Sequence, residues 1–183
     1  EPESGEISVC WEKGVTKSAK EKIGFMPENT YLYKHLTGRE FLNFNGKFFW
    51  LEGDALKTRV DELLKRVWLD HAGDKYLHTY SKGMLQRVWL AQSIINKPQL
   101  LFLDEPMSGL DPIGRKMVKD LLVSLREEGT TIFFNTHILA DVESICDRIS
   151  IIHQGNLIVE GKKISDIKWS LEDFFIEKIE ANS

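Results

Sequence analysis

The sequence predicts an α/β fold with a parallel core sheet and a helical subdomain inserted over residues 37–95. Three observations predict it. From residue 100 onward, short apolar runs alternate with helical patterns, the rhythm of parallel strands joined by right-handed crossovers. Between Thr37 and Ile95 the apolar residues recur at helical spacing instead. The 183 residues, 42% hydrophobic and 28% charged, suffice for one cored domain and exclude a disordered chain.

Taken in order, Gly5–Val9 reads as a short strand and Lys22–Met26 as a second, ending at Pro27. Thr37 with Glu40 three residues on makes a capping box that opens a helical stretch to Leu69. Within it, Leu56, Val60, Leu63, Leu64 and Val67 share one helix face. Ser81 precedes another helix reaching about Asn96, with Leu85, Val88, Ala91, Gln92 and Ile95 near one stripe. Leu100–Leu103 is the continuous apolar run of a strand buried on both faces. Asp111 caps a helix with Pro112 in its first turn, Met117, Leu121 and Leu125 on its inner side, and Gly129 at its end. Strands follow at Thr130–Phe134, Ile149–His153 and Leu157–Val159, with a helix over Ile138–Cys146 and a turn at Gln154–Asn156. The division is then a core of residues 1–36 and 96–183 around a helical subdomain of 37–95. No internal repeat or low-complexity tract appears.

A net charge of -4 without any basic run argues against a nucleic-acid partner. No apolar run is long enough to cross a bilayer and no signal peptide is visible, so a membrane role is peripheral. Cys10 and Cys146 fit no metal or redox spacing; Cys146 reads as core packing. Glu1–Gly5 reads as mid-sequence text, and an upstream part of a longer chain is expected.

The chemistry centres on Leu100–Leu103 followed by Asp104 and Glu105. Such a strand delivers both carboxylates to the carboxyl edge of a parallel sheet, where ligands of open α/β folds bind. In nucleotide hydrolases a strand-end aspartate holds magnesium and a neighbouring acid can polarise water. Alone, the pattern also fits a strand ending in solvated acids. Upstream, Tyr80–Arg87 opens a helix with the Ser81 hydroxyl and the Gly83 amide, the makings of an anion site. Downstream lie Ser108–Gly109–Leu110–Asp111 and, after the next strand, Asn135–Thr136–His137. A lone histidine after a strand is commonly structural; here the adjacent parallel strand is expected to bring it beside Glu105.

In this order and spacing the motifs resemble ATP-binding-cassette (ABC) ATPases: signature motif, Walker B strand, D-loop and switch histidine. The wording is most similar to ABC-2-type exporter ATPases, and the resemblance runs from Ser4 to Asp173. It implies a P-loop NTPase-like fold with its amino-terminal part missing. It further implies Asp104 on Mg²⁺, Glu105 as general base and His137 as γ-phosphate sensor. Ser81 and Gly83 would contact ATP held by the opposite subunit, and Asp111 would join the two sites across the dimer. Glu28 stands where the family has the Q-loop glutamine, which senses Mg²⁺. Lys82 and Met84 replace a glycine and a glutamine of the commonest signature; Lys82 either pairs with phosphate or points to solvent. The implied cofactors are ATP and Mg²⁺. The implied partners are a transmembrane permease and a second ATPase subunit, at the cytoplasmic face of the cell membrane. A soluble cassette ATPase of translation or DNA repair, or a silent interaction fragment, are the competing readings.

No Gly-x-x-x-x-Gly-Lys-Ser/Thr phosphate loop occurs; Gly109–Gly114 followed by Arg115–Lys116 lies after the Walker B strand and within a helix start. The family's strand leading into that loop would lie between Thr130–Phe134 and Ile149–His153. The outer edge of Thr130–Phe134 is therefore expected to show a gap or rearrangement, to take a strand from another molecule, or to be completed by a missing part of a parent chain. Of the aromatics from Tyr31 to Trp50, Tyr31–His35 are expected to face a permease groove and most of the rest to pack internally.

Overall fold

The computed structural model describes residues 4–28 and 33–182. The chain divides into two units, Glu1–Asn135 and Thr136–Ser183.

The first unit opens with a hairpin of β1 (Ser8–Val9) and β2 (Glu12–Lys13), followed by α1 (Lys17–Glu21). The expected strand over Gly5–Val9 is thus only two residues long, because Cys10 and Trp11, with φ of 50° and 67°, turn the chain back. The core sheet has order β3 (Ile23–Met26), β4 (Leu100–Asp104), β5 (Thr131–Asn135), all parallel. Among the described residues β5 has no second neighbour, as expected for that edge.

Between β3 and β4 lie α2 (Gly38–Lys47), α3 (Gly53–Arg66) and α4 (Lys82–Ser93). The capping box forms as predicted: Glu40 N–H donates to Thr37 Oγ1 at 3.1 Å, and Thr37 N–H to Glu40 Oε2 at 2.8 Å. Leu56, Val60, Leu63, Leu64 and Val67 are all buried. The helical stretch is broken between α2 and α3, where Trp50 and Gly53 take left-handed φ of 59° and 54°. Arg59 is buried and closes the carboxyl end of α4, donating to Ile95 O at 3.1 Å and Ile94 O at 2.5 Å while pairing with Glu62. Helix α5 (Pro112–Glu127) follows β4 and ends before Gly129, whose φ is 97°. Its buried residues are Gly114, Val118, Leu121, Leu122 and Leu125; Met117 is half-buried.

Two packing expectations need correction. The β4 strand is not buried on both faces: Leu101 and Leu103 are buried, but Leu100 and Phe102 only partly. Its outer face carries a row in register, Phe25, Phe102 and Phe133, whose outer members are 58% and 59% exposed. Phe48 and Trp50 do not pack internally either, being 64% and 75% exposed: Phe48 caps the end of α2, and Trp50 takes a left-handed backbone just beyond it. Phe49 is half-buried, and Tyr33–His35 are exposed; Tyr31 and Leu32 lie outside the described residues.

The second unit comprises α6 (Leu139–Ile145), an antiparallel pair β6 (Arg148–His153) and β7 (Asn156–Lys163), and α7 (Leu171–Glu180). Gln154 and Gly155 make the turn with φ of 48° and 79°. The core consists of Ile151, Leu171 and Phe174, with Leu139, Val142 and Ile149 packed against it. Cys146 closes α6 and is half-buried, so it is not the core residue expected.

Candidate functional site

The carboxyl edge of the core sheet is built by register. Met26 pairs with Leu103, and Asp104 pairs with Asn135, so the three strands end together. Asp104 is half-buried and its Oδ1 accepts from Asn135 Nδ2 at 2.8 Å. Glu105 turns the chain off the strand with a left-handed φ of 47°, directly before Pro106. That backbone is disfavoured for a residue with a Cβ and is restricted further by the proline. It is fixed from three sides: Glu105 N–H donates to Asn135 O at 3.2 Å, and Glu105 O accepts from Ser108 N–H at 3.0 Å and from Gln86 Nε2 at 3.1 Å. Glu28, exposed, follows β3 by two residues and so leaves the same sheet edge.

Helix α4 presents its amino end next to the loop after β4. Ser81 caps it, accepting from Met84 N–H at 3.2 Å. Lys82 is exposed and arches over Gly109, where any Cβ would collide with its ammonium. Gly83 and Met84 are half-buried, and a Cβ on Gly83 would press on Leu110 at 3.3 Å. Arg87 fastens the helix, donating to Val67 O at 3.0 Å, Trp68 O at 3.1 Å and Gly83 O at 3.3 Å. Burial pulls its guanidinium below the usual range, and Asp111 opposes that pull. Asp111 caps α5 through Gly114 N–H at 2.8 Å.

The structure therefore gathers Asp104, Glu105, Ser81, Lys82, Gly83, Met84 and Asp111 in the first unit around one loop. His137 belongs to the second unit, exposed in the segment before α6, where Thr136 Oγ1 accepts from Ile138 N–H at 3.2 Å. Two residues that sequence reasoning passed over hold the acids in place: Asn135 bonds the Asp104 carboxylate, and Gln86 bonds the main-chain oxygen of Glu105. Asn135 stood in the string before the histidine. Gln86 lay within the Tyr80–Arg87 stretch, a polar residue on the buried side of α4. Among the described residues no group of three or more His, Cys, Asp or Glu side chains converges on a metal position. The two acids at the strand end offer hard oxygen donors, which suit a hard divalent cation.

Comparison with known proteins decides the family: the match to the ABC transporter family covers residues 1–108. The chain belongs to the ABC transporter family. An ABC transporter ATP-binding protein of Nostoc sp. is 51% identical over 144 residues, 78% of this chain and 43% of that protein. The bacitracin transport ATP-binding protein of Bacillus licheniformis is 40% identical over 87% of this chain and 52% of its own length. A solved ATP-binding subunit of an ABC transporter superposes with a TM-score of 0.79 at 28% identity, covering 88% of this chain and 70% of that one. The chain thus spans about half the length of the curated relatives it matches. The fold is the P-loop NTPase-like α/β fold of that ABC subunit.

Proposed function

We propose that this chain is the signature-and-Walker-B part of the nucleotide-binding subunit of an ABC exporter. The observation that carries the proposal is the single loop on which Asp104, Glu105 and the capped amino end of α4 converge. Asp104, with Glu28 nearby, would hold Mg²⁺, which neutralises phosphate charge when bound. Glu105 would take the proton of the water that attacks the terminal phosphorus, as the bond to the leaving ADP breaks. Ser81, Gly83 and the α4 amino end, with Lys82 and Met84 beside them, would receive the terminal phosphate of a nucleotide bound to a second ATPase subunit. Asp111 would link the two sites and His137 would sense the phosphate.

The sequence contains no Gly-x-x-x-x-Gly-Lys-Ser/Thr loop. Positioning is most of phosphoryl-transfer catalysis, so the chain by itself would activate water without holding the triphosphate. The relative named for bacitracin transport supports an export role. Among the described residues no helix is long and apolar enough to cross a membrane. The permease surface would be the exposed aromatic row of Tyr33, Phe44 and Phe48, whose rings meet edge to face at 5.9 and 5.1 Å. A cavity of about 620 Å³ is lined by Phe49, Trp50, Leu51, Asp54 and Ile95. Contact with that permease would place the subunit at the cytoplasmic face of the cell membrane.

The test is a fusion that puts a family phosphate-loop segment ahead of Glu1. Glu105→Gln should stop its ATP turnover while leaving ATP binding intact, since charge is lost and shape kept. His137→Ala should also cut turnover heavily. Near-normal turnover in the Glu105→Gln fusion would remove Glu105 from the role of base.

A further inference from the structure

We infer that Gln86 is the positioning residue of the site: its side-chain amide holds the strained Glu105 backbone and ties it to helix α4. The inference rests on the reading of Glu105 as the base, but its geometry stands independently.

Gln86 is 8% exposed, so its amide cannot rely on bulk water for a partner. It donates from Nε2 to the main-chain oxygen of Glu105 at 3.1 Å. Glu105 combines a left-handed φ of 47° with a following proline. Such a backbone persists only where its surroundings over-determine it. The Asn135 and Ser108 bonds come from the sheet and from the turn itself, at 3.2 and 3.0 Å. The Gln86 bond comes from outside both sheet and turn, from the helix whose cap is Ser81, five residues earlier. At about 1.5 Å per residue, the two lie roughly 7.5 Å apart along one rigid helix. Lys82 over Gly109 and Gly83 against Leu110 add contacts between the same helix and the same loop. A displacement of the amino end of α4, where a phosphate of one nucleotide would sit, is therefore carried to the base serving the other. Gln86 is the hydrogen-bonded part of that connection.

The experiment has two arms. In this chain, amide hydrogen exchange is followed at Glu105 and Ser108, with Leu101 and Leu63 as references. Gln86→Met keeps the length but removes the donor; Gln86→Asn keeps the amide but falls one methylene short. Both should speed exchange at Glu105 and Ser108 at least tenfold and leave the references unchanged. Unchanged protection in either variant overturns the inference. Uniform loss of protection, references included, also overturns it, since Gln86 would then serve general packing. In the phosphate-loop fusion, Gln86→Met should lower kcat at least tenfold with KM within twofold of the parent. An unchanged kcat, or a loss confined to KM, overturns the positioning role. Should Glu105→Gln leave the fusion active, the base assignment fails, while the exchange result still judges the Gln86 bond.

Discussion

At the strand end the Asn135 amide orients the Asp104 carboxylate, and the Gln86 amide holds the backbone of Glu105. Asp104 and Glu105 were legible, because two acids at the end of an apolar strand need only a parallel sheet to reach its ligand edge. Their holders, Asn135 and Gln86, were not, because each role depends on strand register or helix placement, which no local pattern encodes. Hydrogen-bond partners of metal-binding carboxylates typically matter 10–100-fold. Asn135→Ala should accordingly lower turnover of the phosphate-loop fusion by roughly tenfold or more, as steady-state kinetics would show. Away from the site, Glu12 is held down to about 2 by Lys22 first and then by the Thr16 and Ser18 hydroxyls. A carboxylate depressed on folding contributes stability above its unfolded pKa, and the contribution is lost as pH falls through the folded value. Glu12→Gln should therefore lower the urea midpoint at pH 7, with the two curves converging as pH falls from about 4.5 to about 2. Equal midpoints at pH 7 would contradict this.

At the scale of elements, the helices were the most readable part, because caps and apolar stripes are local. Thr37→Ala removes one side of the capping box and should cost about 1 kcal/mol. Leu63→Ala opens a void at a fully buried position of α3 and should cost roughly 2–5 kcal/mol. Phe48→Ser changes an exposed ring and should stay within about 0.5 kcal/mol. Urea unfolding of the three variants orders them, and a Phe48→Ser loss as large as that of Leu63→Ala would refute the outward placement of the aromatic row. What escaped reading were the places where backbone sign changes. The hairpin turn at Cys10–Trp11 and the break at Trp50 and Gly53 rest largely on non-glycine residues with positive φ, which residue preferences do not flag. The half-open face of β4 escaped for a different reason: an apolar run signals an apolar strand, not what covers each side.

At the scale of the molecule, the parallel core sheet and the ABC family were both legible, the first in the strand–helix rhythm and the second in four motifs and their spacing. The antiparallel β6–β7 pair was anticipated only as two strands joined by a turn, since pairing direction follows from the hairpin and not from the residues of either strand. Under the proposed function two pieces complement each other: one would position the triphosphate, and this chain would supply the water-activating carboxylates and the helix end that answers the phosphate. No measurable ATPase activity is predicted for the chain by itself, and metal-dependent turnover abolished by Glu105→Gln would overturn that. The most direct measurement is calorimetric titration of MgATP into this chain and, in parallel, into the chain fused to a family phosphate-loop segment. The account predicts no saturable binding to the chain and clear binding to the fusion. Tight, saturable binding to the chain alone, unchanged by the added segment, would contradict it.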